Sequence, residues 1–126
     1  LVERFRRETG IVTFFQKECA HAELAASQEM QVVRIVQECL ANIRKHSHAH
    51  AVRILLRCDH EGHYHVMVED DGVGFGEEVE AADAGEHLGL AILQERARRL
   101  GGELSVESEP AEGTRVELNF SNARAR

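Results

Sequence analysis

No apolar run in the 126-residue chain approaches the roughly 18 residues that a membrane-spanning helix needs. Its first stretch also lacks the charged-then-apolar pattern of a secretory signal. The chain opens in mid-pattern at Leu1, so an excised piece of a longer protein is expected. Positive charge is scarce: 15 Lys and Arg stand against 22 Asp and Glu, a net charge of −7. That balance disfavours a nucleic-acid backbone or an anionic membrane surface as partner. An anionic substrate must then be met locally, by backbone amides, a few cations or a metal. Cysteine is sparse and odd in number, with Cys19, Cys39 and Cys58 far apart. All three read as small, reduced core or near-core residues of a cytoplasmic protein rather than as a metal or redox site. There is one proline, Pro110, and we find no internal repeat and no low-complexity linker. With 43% hydrophobic and 29% charged residues, the chain reads as a single globular domain, 1–126, large enough for a real core.

What is present centres on ten residues, Val66-Met67-Val68-Glu69-Asp70-Asp71-Gly72-Val73-Gly74-Phe75. They read as a β-strand that stops in a glycine-rich turn. Side chains alternate along a strand, so Tyr64, Val66, Val68 and Asp70 share one face. The apolar parity thus ends on a carboxylate aimed at the core, which needs a partner, a ligand or a raised pKa. Gly72 and Gly74 allow close backbone approach. A half-buried acceptor beside open backbone suits a flat, hydrogen-bonding ring such as a purine. Taken alone, the stretch is equally an Asp-Gly hairpin turn.

Upstream, residues 1–9 are expected to be the end of a linker helix, broken by Gly10, and Ile11 to Cys19 reads as a strand. From an N-cap at Ser27, the residues Val32, Val33, Val36, Cys39, Leu40 and Ile43 recur at helical spacing to about His46. Glu38, Asn42 and Lys45 form a second, polar stripe on the same helix, and with His46 they give the spacing E-x-x-x-N-x-x-K-H. A carboxylate, a carboxamide and an ammonium on one face suit a hydrated metal and a phosphate; the plainer reading is a solvated face. Ala51 to Cys58 alternates, with Val52, Ile54, Leu56 and Cys58 opposite Arg53 and Arg57, and forms a hairpin with the strand ending at Asp70. Six of the eight histidines lie between His46 and His65, but none sits on a convincing zinc framework, so they read as solvated.

Phe75 to Glu86 reads as a short mobile loop. Gly89 then opens a helix carrying Leu90, Ile92, Leu93, Ala97 and Leu100, which stops at Gly101-Gly102. Free N–H groups and the helix dipole make its start a ready anion site. Leu104 and Val106 alternate in one closing strand. Thr114, Val116, Leu118 and Phe120 share a face of the other, and 121–126 should be a frayed tail.

Each signal is common, but their order is not. E-x-x-x-N-x-x-K-H on a helix, D-x-G-x-G after a strand, a loop, Gly-Leu at a helix start and Gly-Thr opening a strand follow one another from about Gly10 to Phe120. This series closely resembles the ATP-binding catalytic domain of sensor histidine kinases, within the superfamily that includes gyrase, Hsp90 and MutL. The run from Val33 to Asn42, the short loop and Gln94-Glu95-Arg96-Ala97 are similar to the subgroup paired with LuxR-type response regulators. His87-Leu88-Gly89-Leu90 is similar to its nitrate/nitrite sensors.

The resemblance implies an α+β sandwich of the Bergerat type, with a mixed, largely antiparallel sheet and helices on one face. It implies ATP and Mg²⁺ as cofactors, with Asp70 accepting from the adenine amino group and Thr114 nearby. Asn42 matches the Mg²⁺ ligand, and Glu38 the catalytic carboxylate that orients or activates the acceptor. Lys45 and His46 match basic residues beside the phosphates. Gly72 and Gly74 would shape the adenine floor, and Leu88, Gly89 and Leu90 would lie along the phosphates. Asp71 stands where the family often has Asn, placing negative charge beside the nucleotide, and Gly89 is alone where many members have Gly-x-Gly.

The implied activity is transfer of the ATP γ-phosphoryl group to a histidine on an upstream dimerisation domain, for relay to a response regulator. None of the eight histidines lies in a suitable helix pair, so this piece lacks its own acceptor. The parent is expected to be a homodimer anchored in the bacterial inner membrane, with this domain in the cytoplasm. An anti-sigma-factor serine kinase would share the fold, but the short loop and the Gln-Glu-Arg-Ala run oppose it. A non-enzymatic docking module is opposed by intact Glu38, Asn42 and Asp70.

Overall fold

The computed structural model describes residues 1–19, 24–59, 61–72, 90–109 and 113–121. Helix α1 (Val2–Thr9) leads into strand β1 (Val12–Glu18), and helix α2 (Ala26–Asn42) runs on into a π-helical turn, Ile43–Ser47. Strands β2 (Ala51–Cys58) and β3 (His63–Asp70) follow, then helix α3 (Leu90–Arg99) and strands β4 (Glu103–Glu109) and β5 (Gly113–Ser121). The five strands form one sheet in the order β1-β2-β3-β5-β4. Only β1 and β2 run parallel, as expected where a helix rather than a tight turn joins two strands. The mixed, largely antiparallel sheet and the β2–β3 hairpin agree with the sequence reading.

The alternation holds across the sheet. Val52 and Ile54 of β2, Tyr64, Val66 and Val68 of β3, and Val116, Leu118 and Phe120 of β5 are all buried on one face. Ile35, Val36, Cys39, Leu40 and Ile43 from α2 and the turn, with Leu93, Ala97 and Leu100 from α3 and its end, complete the same core. Full burial of each large side chain contributes about 1.5–3 kcal/mol. The stacked rings of Tyr64 and Phe120, 5.1 Å apart, add roughly 0.5–1.5 kcal/mol. On the opposite face the registered row Arg53, Glu69, Arg115 and Glu107 carries alternating charge.

Four details depart from the sequence reading. Helix α2 is capped at Ala25, whose N–H donates to Gln28 Oε1 at 3.0 Å, rather than at Ser27. Ile35 is buried and Val33 exposed, because Val33 lies about 90° from the centre of the apolar stripe at 100° per residue. Ile92 is likewise exposed on α3. The fourth concerns the cysteines, which are not all reduced. The parallel register that pairs Glu18 with Arg57 sets Cys19 beside Cys58, and the two form a disulfide with Cα atoms 4.9 Å apart, a normal bridging separation. Cys39 is the free, buried thiol.

Two glycines act as expected at helix ends. Gly10 closes α1 at φ 72°. After α3, Gly101 at φ 69° donates to the Arg98 carbonyl and Gly102 to that of Ala97, both at 2.9 Å, a Schellman closure.

Candidate functional site

Asp70 is the last residue of β3, so the strand's period turns it to the core face, and it is only 6% exposed. Its Oδ1 accepts the Gly72 N–H at 2.8 Å. Burial raises its pKa above the usual carboxylate range; the Gly72 and Thr114 backbone amides pull it down, while Asp71 and Glu69 push it up. The net direction is upward, which marks a carboxylate held where water does not fully solvate it. Such a group at the end of a strand is a functional candidate.

Thr114 is registered directly across from Asp70 on β5 and is half-buried. Its Oγ1 lies 3.0 Å from Ser108 Oγ. Gly113, just before it, has φ 91°, and a Cβ there would come 2.0 Å from the Asp70 carbonyl oxygen. No other residue fits this contact. An open groove of about 710 Å³ runs along the opposite, charged face of the sheet at this end, lined by Phe14, Arg53, Glu69, Glu107 and Arg115 and reaching Asp70, Asp71 and Thr114 at the strand ends.

Helix α2 packs on the core face of the sheet. Asn42 is buried at 8% exposure and Glu38 is half-buried, while Lys45 is exposed within the π-helical turn. Burial pushes the Cys39 thiol, between them in sequence, up to about 12, and the charges of Glu38 and Asp70 add to the shift. The carboxylates of Asp70 and Glu38 therefore both lie within electrostatic reach of Cys39, on the core side of α2. A neutral carboxamide and a carboxylate one helical turn apart are the donor types a hard cation takes. His46 lies in the π-helical turn and Leu90 begins α3. Gly74, Leu88 and Gly89 fall outside the described residues, as does the expected loop at 75–86.

Two features went unread in the sequence. Gly113 entered it only as part of a Gly-Thr pair, since its contact with Asp70 depends on the β3–β5 register. Asp71 reads, from sequence, as charge placed beside a ligand. In the structure its Oδ1 accepts the N–H groups of His50 and Ala51, at 2.8 and 3.0 Å. Those donors, Ala51 foremost, hold its carboxyl below the usual range. The histidines also have local roles. His63 and Glu61 donate backbone N–H groups to Asp59 Oδ1 in the exposed β2–β3 turn, and His65 Nδ1 pairs with Asn119 Oδ1 at 2.8 Å.

A family model described as histidine kinase-, DNA gyrase B-, and HSP90-like ATPase matches residues 27–124. The nitrate/nitrite sensor protein NarQ of Escherichia coli is 34% identical over 108 residues, 84% of this chain and 19% of that protein. The sensor histidine kinase YdfH of Bacillus subtilis is 30% identical over 118 residues, 94% of this chain and 28% of that protein. The chain thus spans less than a third of either relative. The blue-light activated histidine kinase EL346 of Erythrobacter litoralis shares the fold, with a TM-score of 0.78 at 22% identity over 94% of this chain and 38% of that one.

Proposed function

The chain belongs to the histidine kinase-, DNA gyrase B- and HSP90-like ATPase family, and from that premise we propose that it is the ATP·Mg²⁺-binding catalytic domain of a two-component sensor histidine kinase. The observation that carries this reading is Asp70, a buried carboxylate with a raised pKa, flanked by Gly72 and by the close-packed backbone of Gly113. A carboxylate there accepts an N–H of a planar heterocycle, and a purine amino group is the natural donor. Thr114 and the backbone at Gly72 and Gly74 complete the adenine side.

Asn42 supplies the carboxamide oxygen for Mg²⁺, which when bound neutralises charge on the transferring phosphates. Lys45 and His46 serve the phosphate side, as do the backbone amides around Leu88, Gly89 and Leu90. Glu38 orients the acceptor imidazole and takes up its proton. The acceptor is a histidine of the parent's dimerisation domain, and the phosphoryl group passes on to a LuxR-type response regulator. Among the described residues no helix is long and apolar enough to cross a membrane. Our reading places this domain on the cytoplasmic side of a homodimer anchored in the inner membrane.

Calorimetric titration with ATP, with and without Mg²⁺, tests the reading. The chain should bind ATP, and Mg²⁺ should strengthen binding in the parent but not in Asn42→Ala. Absence of ATP binding by the parent would remove the functional reading. A Mg²⁺ effect unchanged in the variant would remove only the ligand assignment.

A further inference from the structure

We propose that Asp71 is a positioning residue that ties the purine half of the site to the phosphate half, an inference that rests on the nucleotide-binding reading above. The strand period separates it from its neighbour: Asp70 turns to the core, and Asp71 falls just beyond the β2–β3 ladder, whose last pair is Val52 with Asp70. There Asp71 meets the chain that enters β2. Its Oδ1 accepts the N–H groups of both His50 and Ala51, and its own N–H donates to the Ala51 carbonyl at 3.3 Å. Asp71 is exposed, yet two hydrogen bonds to its side chain and one from its backbone fasten it to two consecutive residues, His50 and Ala51.

What it fastens matters more than how tightly. His50 and Ala51 follow the π-helical turn that carries Lys45 and His46 after two residues, His48, at a positive φ of 55°, and Ala49. A left-handed non-glycine residue at that exit is a strained joint that needs an external hold. On the other side, Asp71 sits between Asp70 and Gly72, the acceptor and the turn that define the purine side. The carboxylate therefore fixes the spacing between Asp70 and the Asn42–Lys45 segment. A ligand that reaches only one half does not sense that spacing; one that spans both does.

Two N–H donors on one oxygen need an acceptor rather than a charge, so Asn keeps the link and Ala removes it. The experiment compares the parent with Asp71→Ala, Asp71→Ser and Asp71→Asn, using adenosine and Mg·ATP as calorimetric probes. Adenosine affinity should stay within about 3-fold in every variant. Mg·ATP affinity should fall about 10- to 100-fold in Asp71→Ala, corresponding to about 1.4–2.7 kcal/mol, and recover in Asp71→Asn. Should Asp71→Ala not fold, Asp71→Ser, whose short hydroxyl reaches at most one donor, carries the same comparison. Equal loss for adenosine and Mg·ATP, or no loss for either, overturns the positioning role. So does failure of Asp71→Asn to restore Mg·ATP binding. Failure of the parent itself to bind ATP would instead overturn the functional reading beneath it.

Discussion

Replacing Asp70 with Asn changes one oxygen for an amide nitrogen in a side chain that is only 6% exposed. Two effects follow, with opposite signs. In the protein by itself, burial holds the folded pKa of Asp70 above its unfolded value. Its favourable contribution is therefore full at low pH and is lost as pH rises through the raised value. At neutral pH the ionised carboxylate costs stability, offset in part by the Gly72 and Thr114 amides. Asp70→Asn should then melt at the same temperature as the parent or higher at pH 7, and the difference should shrink towards pH 4. In the complex the sign reverses. A hydrogen bond to a charged acceptor contributes about 1.5–3 kcal/mol, so ATP affinity should fall about 10- to 150-fold. Selectivity should fall with it, because GTP presents a carbonyl where ATP presents an amino group. Melting curves of both proteins across pH, alone and with ATP or GTP, measure the change in stability, in affinity and in selectivity. If ATP raises the melting temperature of Asp70→Asn as far as that of the parent, Asp70 is not the purine contact.

Four further outcomes follow from packing. Gly113→Ala should destabilise by at least ~2 kcal/mol, since its Cβ would meet the Asp70 carbonyl at 2.0 Å; a denaturant midpoint matching the parent's would refute the contact. Leu93→Ala, at a fully buried position, should cost about 2–5 kcal/mol by denaturant titration, and a loss under 1 kcal/mol would mean that α3 does not seal the core. The Cys19–Cys58 bridge spans 39 residues of sequence, so the double Ser variant should lose about 2–4 kcal/mol, while iodoacetamide should leave Cys39 of the native protein unlabelled because its thiol is buried and its pKa is raised to about 12.

Sequence reading succeeded wherever a local period decided the outcome. The parity of β3 placed Asp70 on the core face, that of β5 placed Thr114 beside Val116, and helical spacing put Asn42 and Glu38 on one stripe of α2. Period specifies a face, and the core then enforces it, because a one-residue slip would turn every buried valine of β3 to water. Its errors on helices were errors of degree. Val33 and Ile92 are apolar but lie at the margin of their stripes, where burial depends on what packs alongside. Gly10 and Gly101 were legible because a helix end makes the same demand for a left-handed residue in any fold.

The features that escaped share a different cause. Cys19 with Cys58, Gly113 with Asp70, and Asp71 with His50 and Ala51 are each contacts between segments brought alongside by register. No period within either segment encodes the partner. The parallel pairing of β1 with β2 decides the first, the antiparallel pairing of β3 with β5 the second, and the end of the β2–β3 ladder the third. The last two meet at the same end of the sheet, around the carboxylate of Asp70. That concentration has a physical reason. At the end of a ladder, backbone groups no longer have strand partners, so side chains and glycines must close the structure there. The same unpaired groups and close approaches leave room for a polar ligand. A strand end where Asp70 is buried, Gly113 is jammed against it and Asp71 is stitched to the next segment is where local periodicity stops being informative and register takes over.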